Sequence, residues 1–159
     1  MAWRSRCFRV ARVTNNAMTS AIDPDLLSIY QKSDYRVLGG GENSFVMHIG
    51  IPCEPLRNLL LRTGVSTSCF VSAYNPRSEP CTDEENARAQ AQLTQDVRQM
   101  GLSYLEGVGE DPDGECAGEP CLLVLGISYE NTVTLGKRYG QNAVLWSEVD
   151  GMPQLLLLR

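Results

Sequence analysis

The sequence predicts an α+β fold, a ferredoxin-like βαββαβ sandwich extended at its N-terminal side by a helix and a β-hairpin. Three observations carry this reading. Residues 69–74 form an apolar run closed by Asn75-Pro76, and a strand ends there because proline cannot donate to a ladder. A long polar helix starts at Thr82 and a shorter one at Ser128, each behind a hydroxyl side chain suited to an N-cap. Three further apolar segments, 102–108, 121–127 and 143–149, follow in the order that makes strand, helix, strand, strand, helix, strand.

Taken in order, Asp23 caps a short helix over 23–31, with Pro24 in its first turn and Leu26, Leu27 and Tyr30 on one side. Strands at 35–38 and 44–49 flank Gly39-Gly40-Gly41-Glu42-Asn43. In the second, Phe45, Met47 and Ile49 alternate with Val46 and His48, the pattern of a half-buried strand. The glycines read as a hairpin turn needing positive φ. A phosphate cradle would continue into a helix through Lys-Ser or Lys-Thr, and here a strand follows. A helix over 55–62 turns Leu56, Leu59 and Leu60 inward and stops at Gly64.

In the long helix, Thr82 and Glu85 make a capping box, Ala89, Leu93, Val97 and Met100 form a sparse apolar stripe, and Gly101 ends it. Residues 109–120 are an acidic loop. The strand at 121–127 is almost wholly apolar and therefore central. The helix over 129–139 buries Val133 and Leu135, and 152–158 folds back on the last strand through Asp150-Gly151.

At 159 residues the chain suits one domain, 23–159, behind a basic leader, 1–22. No apolar run approaches the roughly 18 residues of a spanning helix, so no membrane partner is predicted. The net charge is −5, yet every acid lies beyond Ile22 and Arg4, Arg6, Arg9 and Arg12 lie before it. The body is thus more acidic than the total, which disfavours phosphate backbones, and no nucleic-acid partner is predicted. The leader suits an organelle-targeting segment, a disordered basic arm, or an upstream over-read of a frame that starts at Met18. The over-read is preferred because Met18 opens an ordinary acidic domain; residues 1–17 are then untranslated. A secretory signal lacks its apolar core.

Six cysteines, at 7, 53, 69, 81, 116 and 121, form no Cys-x-x-Cys pair, and His48 is the single histidine. A structural zinc site is therefore not expected, nor any other metal or cofactor, and reduced thiols point to a cytoplasmic protein.

Right-handed crossovers bring four polar features to one edge of the predicted sheet. They are the end of the first core strand (Tyr74, Asn75), the start of the long helix (Glu85, Asn86), the acidic loop (Glu110, Asp111, Asp113, Glu115, Glu119) and Gln141-Asn142. Tyr74, Asn75, Glu85, Asn86, Glu119, Gln141 and Asn142 are the candidate ligand-binding residues, with Arg77, Arg88 and Arg138 as nearby charges. Each also has a structural explanation: Asn before Pro suits a turn, polar residues suit helix ends, and surface arginines are usually solvated. Residues 111–115 resemble part of a calcium loop without its alternating ligands. His48 has no nucleophile at a telling spacing, so no catalytic residue is assigned.

Four segments occur in a distinctive order: Phe-Val-Ser-Ala-Tyr-Asn-Pro (70–76), Asp-Glu-Glu-Asn-Ala-Arg (83–88), Glu-Asp-Pro-Asp-Gly-Glu (110–115) and Leu-Gly-Lys-Arg-Tyr-Gly-Gln-Asn-Ala-Val (135–144). With them, residues 35–150 resemble a bacterial family labelled domain of unknown function 3293 (DUF3293). The family more often has serine where Cys121 stands, which argues against an essential thiol. The resemblance implies a small bacterial cytoplasmic protein and brings no activity, cofactor or catalytic residue. Three functional classes remain in play. One is a module binding a small polar ligand or a protein partner through the amide-rich edge, where Asn and Gln both donate and accept. Another is an enzyme acting on a nucleotide-like or amide substrate, with Tyr74 and Glu85 or Glu119 as acid–base groups. The third is a homodimer formed through an open sheet face.

Overall fold

In a computed structural model of the chain, residues 22–114 and 117–159 are described. The leader readings, Cys7, Glu115 and Cys116 lie outside them. The elements are α1 (Pro24–Lys32), β1 (Asp34–Leu38), β2 (Ser44–Met47), α2 (Glu54–Thr63), β3 (Thr67–Val71), α3 (Asp83–Gln99), β4 (Ser103–Glu110), β5 (Glu119–Leu125), α4 (Tyr129–Arg138), β6 (Ala143–Glu148) and β7 (Gln154–Leu157). No described helix is long and apolar enough to cross a membrane.

Local chemistry explains most boundaries. The Asp23 side chain accepts from the Asp25 N–H at the start of α1. Thr82 and Glu85 exchange both bonds of the capping box at α3, and Ser128 accepts from the Asn131 N–H at α4. Gly64 ends α2 at φ +71. The first hairpin turns through Gly40 and Gly41 at φ +76 and +53, the positive φ that the turn was expected to need.

All strands join one antiparallel sheet in the order β2-β1-β4-β5-β3-β6-β7. The four strands of the predicted unit occupy its middle as β4-β5-β3-β6, with the apolar β5 between β4 and β3. The β1–β2 hairpin lengthens the sheet beyond β4, and β7 lengthens it beyond β6.

The sheet centre is packed on both faces, unlike the two-layer sandwich predicted. On one face Leu93 and Val97 of α3 and Leu135 of α4 meet Val71, Leu122, Val124 and Val144. On the other, Tyr30 of α1 and Leu56, Leu59 and Leu60 of α2 meet Phe70, Leu123 and Leu145. The face that a sheet-to-sheet dimer contact would use is therefore occupied by the chain's own helices. The reason is the apolar stripe of α2, which has to be buried against something.

The stripe of α3 also differs from its sequence reading. Met100 is 38% exposed at the helix end, and the inward positions are Asn86, Leu93, Asp96 and Val97. Val133 of α4 is only half-buried, while Thr132, Leu135 and Gly136 face inward. Asp96 is buried because it ties the two helices together. Its carboxylate accepts from the Tyr139 hydroxyl (2.5 Å) and the Gln92 amide (3.0 Å), and Arg138 lies at 3.3 Å.

The Tyr139 hydrogen bond, helped by Gln92 and Arg138 and opposed by burial, holds the Asp96 carboxyl below the usual carboxylate range. A folded-state value below the unfolded one stabilises the protein fully above about pH 4 and is lost as pH falls through the folded value. Asp96→Asn is therefore expected to flatten the acid side of the stability profile. Thermal melts from about pH 6 down to about pH 2 test this; an unchanged slope refutes the clamp.

Candidate functional site

The site is built where β3 leaves the sheet. Beyond Val71 the chain is steered by three bonds: Ser72 Oγ donates to the Pro120 carbonyl (2.8 Å), the Ala73 N–H to Gln90 Oε1 (3.0 Å), and the Tyr74 N–H to Ser72 Oγ (3.0 Å). It then enters a tight turn over 75–78. Asn75 stands at φ 43, Arg77 at φ 60 and Ser78 at φ 60, all in the left-handed region. Asn tolerates that conformation; for Arg and Ser it costs about 1–2 kcal/mol each.

Buried amides hold the turn in place. Asn75 Nδ2 donates to Glu119 Oε1 (3.0 Å), and Asn75 Oδ1 accepts from Asn86 Nδ2 (2.9 Å) and from the Cys81 N–H (3.0 Å). The Asn75 N–H donates to Asn86 Oδ1 (2.8 Å). Gln141 Nε2 donates to the Tyr74 and Tyr139 carbonyls (3.2 Å each), and Asn142 Nδ2 donates to Ser78 Oγ (2.8 Å). The Arg77 N–H reaches the Gly140 carbonyl at 2.7 Å, joining the turn to the end of α4.

The structure thus brings Tyr74, Asn75, Asn86, Glu119, Gln141 and Asn142 into one neighbourhood. Their exposure assigns them a supporting part: Asn75, Asn86, Glu119 and Gln141 are 3% exposed or less, and Asn142 6%. These side chains brace the turn from beneath. Glu85 stays outside the cluster and exposed; its carboxylate accepts from the Thr82 N–H and hydroxyl at 2.9 Å each. Those bonds, the N–H first, hold its carboxyl below the usual range, which suits a helix cap and not a proton donor near neutrality.

Among the described acids of the loop, Glu119 bonds the amides through Asn75. Glu110 pairs with Arg36 at 3.0 Å on the far side of β4, and with Asp34, Asp111 and Asp113 it borders a separate cleft of about 480 Å³. The strand order accounts for this, since Asp34 of β1 lies directly opposite Glu110. His48 bonds Asp34 at 2.7 Å near the same place. Among the described residues no group of three or more His, Cys, Asp or Glu is arranged to hold a metal ion.

Tyr30 belongs to the cluster and has no flag in the sequence beyond being a tyrosine on a leucine stripe. It is fully buried, and burial is the main cause that pushes its hydroxyl up to about 12, with the Ser78 and Asn142 side chains as hydrogen-bond partners.

Over the braced turn lies an open groove of about 440 Å³. Its lining comes from the turn (Pro76, Arg77 and Glu79), from the end of α4 (Lys137, Arg138, Tyr139 and Gly140), and from Ala73 and Ala89. Arg88 is exposed on α3 beside Glu85 and does not line it.

No curated protein and no solved structure matches the chain. Residues 71–144, the span that contains the strained turn, α3 and the amides Gln141 and Asn142, match the family model described as "Protein of unknown function (DUF3293)".

Proposed function

We propose that the chain is a binding module for a small polar ligand, seated in the groove where turn 75–78 crosses the end of α4. The observation that carries this is the turn itself: three non-glycine residues at positive φ, braced from below by buried side chains of three separate segments. Backbone strain persists only where surrounding structure over-determines it, and it concentrates at ligand sites. The acid–base alternative is less well supported. Glu85 is engaged by Thr82, and Glu119 is buried against Asn75, so neither carboxylate is presented to a substrate. The antiparallel order β4-β5-β3-β6, with α3 and α4 on one face, supports reading this part as a ferredoxin-like core. The free thiols of Cys53, Cys69, Cys81 and Cys121 fit a reducing, cytoplasmic setting.

A thermal-shift screen against nucleotides and metabolites tests the reading. A ligand present at about 100 times its Kd adds about 2.7 kcal/mol of stability, a shift of several degrees for a domain of this size. The shift is expected to shrink in Gln141→Ala and Asn142→Ala, each compared with its own ligand-free melt. A ligand whose effect survives both changes binds elsewhere, and the proposal then fails.

A further inference from the structure

Resting on that binding role, we infer that the groove's ligand is a small organic anion, a phosphate or carboxylate on a compact body, held by Arg77, Lys137 and Arg138. The chain carries a net charge of −5, yet three cationic side chains converge on this groove against one acid, Glu79. Helix dipoles account for part of this, because Lys137 and Arg138 stand in the last turn of α4, where cations are favoured. Arg138 is moreover engaged by Asp96 at 3.3 Å.

Arg77 is not explained in that way. It comes from a different segment and is held at φ 60 and ψ 20, a conformation glycine adopts freely and arginine does not. Its backbone N–H is anchored on Gly140, and its exposed side chain lines the same groove as Lys137. Neither Arg77 nor Lys137 makes an ion pair among the described residues.

An arginine and a lysine lining one groove suit a doubly charged oxyanion, since the guanidinium offers paired donors and the ammonium a compact charge. Pro76, Ala73, Ala89 and the Tyr139 ring give the rest of the groove an apolar surface for the body that carries the anion.

Calorimetric titration of the full chain with inorganic phosphate, adenosine monophosphate, citrate and uncharged adenosine tests the inference. At least one anion is expected to bind where adenosine does not, and whether the phosphates or citrate bind identifies the anionic group. Raising salt from about 0.02 to about 0.2 M should weaken that binding several-fold. Arg77→Ala and Lys137→Ala should each weaken it about tenfold. Glu79→Gln should tighten it, and Arg62→Ala, which removes a surface charge elsewhere, should leave it unchanged. Adenosine binding as tightly as its monophosphate would overturn the anionic assignment. So would an equal loss in Arg62→Ala and Arg77→Ala, which would show general attraction to surface charge. An uncharged ligand that binds at the turn while every anion fails would refute the anion and leave the binding role standing. A chain that binds nothing in either screen defeats both.

Discussion

Asn75→Ala is expected to lower the free energy of unfolding by about 3–5 kcal/mol. The side chain makes three bonds in a buried setting, to Glu119, Asn86 and the Cys81 N–H. Truncation leaves the Cys81 N–H without that acceptor and takes from Glu119 a donor close to a 3%-exposed carboxylate. Bonds to a charged group are worth about 1.5–3 kcal/mol, and a neutral donor left unpaired costs about 1–3. Alanine at φ 43 adds about 1 kcal/mol because it lacks the local bonding that lets asparagine occupy the left-handed region. Urea denaturation with an unchanged m-value measures the loss. A deficit under about 1 kcal/mol would show that the turn does not depend on this cluster. Asn75→Asp sharpens the result. It sets a second carboxylate against Glu119, so the deficit should be greatest near neutrality and shrink on acidification, when the pair is no longer required to carry two charges.

Gly140→Ala is expected to cost about 2–4 kcal/mol by a different route. Gly140 stands at φ +63, and a methyl group there would lie 2.7 Å from Pro76 Cβ and 3.5 Å from Pro76 Cα. Relief requires moving the turn away from α4, which also lengthens the Arg77 N–H bond to the Gly140 carbonyl. Gly64→Ala is the internal control. Gly64 has φ +71 and nothing within 4 Å of the added methyl, so only the backbone strain of about 1 kcal/mol applies. The difference between the two variants measures how firmly Pro76 is held. Equal losses would mean that the turn yields to the methyl and is not braced as described.

Much of this arrangement was legible before any coordinates. Asp23, Thr82 with Glu85, Ser128, Gly64 and Gly151 mark element ends because each acts on backbone groups within a few residues of itself. Connectivity then placed Asn75, Asn86, Glu119, Gln141 and Asn142 at one end of the sheet, since a handed crossover leaves few alternatives. Glu110 and Asp113 were misplaced by the same reasoning. Their loop leans towards β1, and nothing in the loop announces that the hairpin pairs with β4 and not with the other edge.

The inward turn of the amides was not legible at all. A buried asparagine bonding a carboxylate and an exposed one waiting for a ligand are written with the same letter; solvent access separates them, and that follows from how α3, β5 and the end of α4 meet around the turn. The left-handed backbone at Arg77 and Ser78 is equally silent, because neither residue prefers it and only bonds from distant segments impose it. Element type and order came from interactions a few residues long, which a linear chain displays openly. The groove, its cations and the strain beneath it came from contacts between residues more than sixty positions apart, such as Arg77 with Gly140 and Ser78 with Asn142, and these exist only after the sheet has assembled.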